Sequence, residues 1–333
     1  MRRRFAYNYK IGIHNNEIWY TSSDGNIVTP YSEIVFGNIV SNTYSDGKGI
    51  IKFDSDVTLI GEQAFYDCTS LTSITIPDSV TRIGYRAFKN CTSLRSITIP
   101  DRVTSIGDGA FDSCISLTSI TIPYSVTSIE SQAFSGCTSL TSITIPNSVT
   151  LIRDYTFSSC YSLTSVTIPD SVTSIASYAF AYCSSLTSVT IPNSVTSIDV
   201  YAFNGCNLLT SVTIGNGVTS IETGAFRDCT SLTNVTIPDS VTSIGSYAFK
   251  LCSSLTSVTI GKGVKSIGQE AFYRCVKLES VYCKPITRPT LGLYVFDSNK
   301  SGRKFYVPMT SVDAYKSAAN WNGYASYIVG YNF

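Results

Sequence analysis

A single histidine, His14, stands in 333 residues, which excludes a His-based metal cluster and leaves no second histidine for a Ser-His-Asp triad. Charge is scarce as well. Asp, Glu, Lys and Arg make up 14% of the chain, well under the roughly 25% of an average soluble domain. The polar surface must therefore be built mainly from Ser, Thr, Asn and Tyr. Neither sign dominates: 24 basic against 23 acidic residues leave a net charge of +1. A nucleic-acid partner, which requires a basic excess to displace counterions, is not expected. No run approaches the ~20 apolar residues of a membrane span, so membrane insertion is not expected either. The motifs G-x-x-x-x-G-K-[ST], H-E-x-x-H and G-x-S-x-G are missing, as is any paired acidic motif. The expectation is a chain with no catalytic, cofactor-binding or metal-binding residues.

What the sequence does have is a repeat. Ten cysteines, from Cys68 through Cys91, Cys114 and Cys137 to Cys275, follow one another at 23 residues without a slip. A phenylalanine precedes each by three residues, from Phe65 and Phe88 to Phe249 and Phe272. The unit reads C-x-S-L-T-S-I-T-I-P-x-S-V-T-S-I-x-x-x-A-F-x-x. Uniform spacing over so many units predicts a solenoid of stacked coils, each contacting only its neighbours.

Within one unit, Leu71, Ile74 and Ile76 give L-x-x-I-x-I. Ile74 and Ile76 share one face of a short strand, with Ser73 and Thr75 on the other. Pro77, which has no N–H for a ladder, ends that strand. Val80 and Ile83 supply two more inward side chains on a second extended segment, although V-x-x-I breaks strict alternation. Ala87, Phe88 and Cys91 suit a single helical turn that brings them onto one face. A lone coil buries too little to fold, so stacking and special ends are required.

Those ends are expected at residues 1–55, an N-terminal β cap, and 284–333, a C-terminal α/β cap, around a solenoid at 56–283. Near the start, two short strands around Ser22-Ser23-Asp24-Gly25 read as a hairpin. Near the end, Lys304-Phe305-Tyr306-Val307-Pro308 reads as a strand. A helix is expected over 310–320, with Thr310 as N-cap and Asp313 three residues on. The aromatic tail from Trp321 to Phe333 suits a lid over an apolar end.

The motif L-x-x-I-x-I-P-x-S-V-x-x-I-x-x-x-A-F-x-x-C, running from Leu59 to Cys283, resembles the BspA-like leucine-rich repeat family. The ending Phe305-Tyr306-Val307-Pro308, with Val312, Tyr315 and Trp321, is similar to that family's closing segment. The resemblance implies a right-handed leucine-rich repeat solenoid and a non-catalytic adhesion module. Its partner would be a host or bacterial surface protein or a glycan, on a cell surface or in a secreted form. The chain itself is expected to be a monomer. The asparagine ladder of ordinary leucine-rich repeats is missing; Ser79, Ser125, Ser148 and Gly217 hold that neighbourhood.

Three features invite a functional reading. Ten cysteines in register have no C-x₂₋₄-C pair for zinc. They read as buried thiols packing as small hydrophobes, with Cys283, outside the ladder, the one placed for an occasional disulfide. The outward strand face presents a Ser/Thr array whose central members are Thr121, Thr144, Thr167 and Thr190, either a plain solvent face or a docking surface. The position before each Ala-Phe pair holds Tyr155, Tyr178 and Tyr201 in successive coils and Tyr247 later. With Tyr161 and Tyr182 nearby, these rings either cover the turns or form an aromatic platform for a partner.

Arg2-Arg3-Arg4 resembles the charged start of a signal peptide, but Phe5 to Tyr20 contains Asn, Lys, His and Glu where an apolar core belongs. The uniform repeats and absent leader also fit a second function, a structural or spacer component of a phage particle or surface appendage.

Overall fold

The computed structural model describes residues 14–31 and 37–333. Arg2 to Arg4 and the apolar-core position of the leader reading up to residue 13 lie outside the described residues. The chain winds into a β-solenoid of about 12 turns at the 23-residue spacing.

Each coil contributes two extended segments. The longer falls on the I-x-I half of the motif, as at Ser142–Thr144, Ser165–Thr167 and Ser188–Ile191. The shorter falls on Ser-Ile, as at Ser174–Ile175 and Ser197–Ile198. Both pair in parallel with the same segment of the next coil, so Ser165 sits beside Ser142 and Ile198 beside Ile175. The broken alternation of V-x-x-I has a local cause. Val195 N–H closes a turn onto Pro192 O at 3.2 Å, so the valine points inward from a turn and the isoleucine from a strand.

The single helical turn expected around Ala-Phe takes the form of consecutive tight turns. Ala87, Lys89 and Cys91 donate N–H to Gly84, Arg86 and Phe88 three residues back. The intervening Arg86, Phe88 and Asn90 instead donate to Asp108, Ala110 and Asp112 of the next coil. Arg86 and Asn90 reach this arrangement with φ of 51° and 61°. A regular helix would keep all of these donors within the coil; the alternation spends half of them on joining coils.

Inside the stack, eleven phenylalanines from Phe65 to Phe296 form one column. Neighbouring centroids lie 5.2–5.6 Å apart, with planes within 16° of parallel. Such offset stacks add roughly 0.5–1.5 kcal/mol each beyond the burial itself. Beside the column runs a ladder of thiols. Nine cysteines, Cys91 through Cys275, each donate Sγ–H to the phenylalanine carbonyl 26 residues earlier, at 3.0–3.3 Å. These thiols pack as the sequence suggests and also satisfy a buried carbonyl. All eleven cysteines are free. Cys283 is fully buried against Tyr315 Oη at 3.4 Å, so a hydroxyl, not a second thiol, is its neighbour.

Serine takes over the work of the missing asparagines. Ser79, Ser125, Ser171, Ser194 and Ser240 donate Oγ–H to a valine carbonyl 22 residues earlier at 2.6–2.7 Å, and Ser148 does the same. The loop that lacks an asparagine ladder is therefore bonded coil to coil all the same.

At the N-terminal end, β1 (Glu17–Ser22) pairs antiparallel with Leu71–Thr75 of the first coil on one side. On its other side lies β3 (Lys48–Phe53), which pairs in turn with β2 (Ile39–Ser45). The hairpin expected around Asp24-Gly25 is not formed. That turn is present, with Gly25 at φ 70°, but the chain after it carries Val28 over the stack and bonds Tyr31 N–H to Ala64 O. The hairpin lies instead at Asp46-Gly47, where both residues have positive φ, 50° and 77°, as a two-residue reversal matching strand twist requires.

At the other end Lys304–Pro308 and Ile328–Tyr331 extend the sheet. The α-helix is shorter than expected, Val312–Ser317, preceded by a 3₁₀ turn at Met309–Ser311. Ser311, not Thr310, is its N-cap residue, and the Ser311 hydroxyl donates to Ile286 O rather than to the helix. Trp321 is buried as the lid reading requires, meeting Phe305 edge-on at 5.8 Å and bonding Pro289 O through Nε1 at 2.8 Å.

Candidate binding surfaces

The two sets of residues singled out in the sequence lie on different elements of each coil and form two surfaces. Thr121, Thr144, Thr167 and Thr190 are exposed on the outward side of the long strands. Thr144 pairs with Thr167, Thr190 with Thr213, and Thr98 with Thr121. Among the described residues these four hydroxyls make no internal hydrogen bond. The neighbouring threonines one turn earlier in the motif do: Thr141, Thr164 and Thr187 each donate to the carbonyl of the preceding coil, at 3.3, 3.1 and 3.4 Å. One threonine row is thus consumed by the fold and the other is left facing outward. Regular strand pairing lapses after Thr121, after Thr167 and after Ile214, but the N–H groups of Thr141, Thr187 and Thr233 bond the carbonyls of Thr118, Thr164 and Thr210 across those three places.

On the turn side, Tyr155, Tyr178 and Tyr201 form a true stack. Tyr155 and Tyr178 lie 4.7 Å apart with planes 3° from parallel, Tyr178 and Tyr201 5.1 Å apart at 29°. Each ring leans over the next coil, and the column ends where Gly224 takes the tyrosine position. A Cβ there would lie 2.2 Å from Tyr201 Cε1, so glycine is what lets the last ring lie down. All three tyrosines hold φ of 56–57°, the left-handed region that costs a bulky residue roughly 1–2 kcal/mol. Gly109 and Gly224 occupy the equivalent position elsewhere with φ of 58° and 63°. Burial, followed by the neighbouring phenols, raises the Tyr178 hydroxyl above its ordinary pKa. Tyr161 and Tyr182 flank it, each 49% exposed.

Tyr247 does not join this stack. It stands two coils beyond Tyr201, across Gly224, with Lys250 Nζ 5.0 Å from its ring centre. Lys250 is ion-paired with Glu270 at 2.6 Å, and the hydrogen bond from that lysine holds the Glu270 carboxyl below its ordinary range. A cleft of about 610 Å³ opens here, lined by Lys250, Glu270, Tyr273, Arg274, Tyr294 and Asp297.

A third aromatic group was not anticipated from the sequence. Tyr282 continues the outward threonine row and stacks on Tyr306 at 4.7 Å, with Tyr331 edge-on to both. Its signal was present: tyrosine replaces threonine at the position equivalent to Thr259. Among the described residues no group of three or more His, Cys, Asp and Glu side chains is placed to hold a metal ion. No described helix is long and apolar enough to cross a membrane.

A family profile described as BspA type leucine rich repeat region matches in six copies, over residues 58–187, 104–233 and 173–302. The crystal structure of a leucine-rich repeat protein from Bacteroides ovatus ATCC 8483 is 31% identical. It covers 87% of this chain and 78% of its own, with a TM-score of 0.67. A leucine rich cell surface protein from Faecalibacterium prausnitzii A2-165 is 33% identical over 68% of this chain and 76% of its own, TM-score 0.44. A leucine-rich repeat protein of T. pallidum is 35% identical over 48% of this chain and 77% of its own, TM-score 0.45. No curated protein sequence matches. The repeat motif, the coil geometry built from it, the family profile and the Bacteroides ovatus structure agree, and the chain belongs to the BspA-type leucine-rich repeat family.

Proposed function

We propose that the protein is a non-catalytic adhesion module of a bacterial cell surface, which holds a protein or glycan ligand along its turn flank with Tyr155, Tyr178 and Tyr201 as the anchor. The observation that carries this reading is the stack itself. Three successive coils place tyrosine rings 4.7 and 5.1 Å apart on one flank, beside the half-exposed Tyr161 and Tyr182, where other coils carry Arg86, Gly109, Gln132 or Glu270 on the same left-handed backbone. Tyrosine also offers a large contact area for little side-chain entropy. The outward threonine row, with Thr121, Thr144, Thr167 and Thr190, serves as a secondary contact for longer ligands. Surface location rests on the family and on the Faecalibacterium relative described as a cell surface protein.

The test replaces all three tyrosines by glycine. This removes the rings and relieves the left-handed strain, so the variant should fold at least as stably as the parent. The parent and variant are compared on an array of immobilised glycans and extracellular-matrix proteins, with thermal melts alongside. Loss of the parent's array signal with an unchanged or raised melting temperature supports the reading. A lowered melting temperature with array binding intact would show that the rings only cover the turns.

A further inference from the structure

The only change of coil length between Cys68 and Phe296 falls in one loop. Ile260 pairs with Cys283 at a spacing of 23, but Ser266 pairs with Thr290 at a spacing of 24. Five residues link the two strands of the earlier coil, and six, Lys284 to Pro289, link those of the later one. The inserted loop carries Ile286, which is 72% exposed, and Arg288. Facing it from the preceding coil are Lys262 and Lys265, both exposed. Elsewhere the equivalents of Lys262 are Asp78, Asp101, Asp170 and Asp239, or neutral residues, and the equivalents of Lys265 are threonines. The row therefore changes sign at this one place. Asp239, one coil earlier, has Oδ1 taken by the Lys262 backbone N–H at 2.8 Å. None of Lys262, Lys265 and Arg288 forms an ion pair among the described residues.

The loop is also held rigid from behind. Ser311 Oγ donates to Ile286 O at 2.9 Å, Tyr315 Oη to Pro285 O at 2.7 Å, and Trp321 Nε1 to Pro289 O at 2.8 Å. The C-terminal cap thus fixes three carbonyls of a six-residue loop while its one isoleucine faces water. An ordered apolar side chain among unpaired cations forfeits little entropy when a partner covers it.

We propose that the cleft between Lys262, Lys265, Ile286 and Arg288, of about 760 Å³, docks an acidic peptide segment of a partner protein. One apolar side chain of that segment packs on Ile286, and its flanking carboxylates meet the three cations. Charge complementarity selects the acid, and the exposed isoleucine selects a peptide over a phosphate or sulfate polymer, which has no apolar group to place there. This site is separate from the tyrosine stack and stands or falls independently of it.

The test is fluorescence anisotropy with a short labelled peptide of alternating Glu and Leu, against oligoglutamate and heparin as competitors. The proteins are the parent, Ile286→Ser, the double variant Lys262→Glu with Lys265→Glu, and the tyrosine-to-glycine triple variant. Expected are binding of the Glu/Leu peptide that weakens with salt, and a loss on the order of tenfold in each of the first two variants. The tyrosine variant should bind as the parent does. Unchanged affinity in Ile286→Ser, oligoglutamate or heparin competing as well as the mixed peptide, or no binding at low salt would each overturn the proposal.

Discussion

Alkaline pH should dismantle this solenoid through its thiols. Burial pushes Cys160, Cys206, Cys275 and Cys283 up to about 12 each, and holds Cys137, Cys183, Cys229 and Cys252 well above the ordinary value. An unfolded thiol titrates near about 8.5. Between those limits the unfolded chain has released protons that the folded chain keeps. Stability is therefore full below about pH 8.5 and falls as pH rises toward the folded values. Each thiol contributes about 1.4 kcal/mol per pH unit in that window. The four at about 12 together remove about 5–6 kcal/mol per unit, against a total of about 5–15 kcal/mol for a typical protein. Unfolding by about pH 9.5–11.5 follows. The decisive measurement is the slope of stability against pH, from urea titrations followed by circular dichroism under reductant. In the triple variant Cys160→Ala, Cys206→Ala, Cys275→Ala, the carbonyls of Phe134, Phe180 and Phe249 keep bonds from the N–H groups of Cys137, Cys183 and Cys252 at 3.2–3.3 Å. The variant should fold, and its slope should be shallower by about 4 kcal/mol per pH unit. An unchanged slope that tracks tyrosine ionisation instead would refute the reasoning.

Phe180→Ala removes a fully buried ring held between Phe157 and Phe203 at 5.3 and 5.2 Å; chemical denaturation should show a loss of about 3–5 kcal/mol. Ser171→Ala deletes the 2.7 Å bond to Val149 O and should cost about 1 kcal/mol, whereas Thr167→Ala on the outward row should stay within about 0.5 kcal/mol in the same assay. Gly224→Ala brings a Cβ to within 2.2 Å of Tyr201 Cε1 at a φ of 63°. It should shift that ring, visible as a changed tyrosine signal in near-ultraviolet circular dichroism, with a modest fall in melting temperature.

The inward half of the structure could be read from the chain because it is written in residue type. Phe88, Cys91, Leu94 and Ile97 recur with their period, and the structure buries each of them. What the motif did not disclose is hydrogen bonding, since a serine's letter does not say which carbonyl it reaches. Ser79 and Ser125 were left without a role although they bind coil to coil. Backbone conformation was equally hidden. Arg86, Tyr155 and Glu270 share a left-handed position that only Gly109 and Gly224 betray by their identity. The turn at Asp24-Gly25 drew the hairpin reading because its dipeptide matched, while Asp46-Gly47 made the hairpin because strands on both sides could pair. For the surfaces, alternation correctly placed Thr144 and Thr167 outward. The repeat position put Tyr155 and Tyr178 on the turn, another flank of the same coil, but did not say that their rings would stack. Tyr247 fell in the right row, but the gap at Gly224 removed it from the stack.

In-register pairing between near-identical coils carries an ambiguity of its own. A growing chain that seats Ser188–Ile191 on Ser142–Thr144, skipping the coil between, meets the same partners it would have met in the native order. The inward side chains differ little from floor to floor, by changes such as Ile143 to Val166 or Ala133 to Thr156. The antiparallel β1 below and the six-residue loop under Trp321 above are the features of backbone architecture unlike the rest among the described residues, so these two landmarks set where counting begins and ends. The same anonymity allows whole floors to be gained or lost by recombination while both landmarks, and the surfaces attached to them, stay as they are.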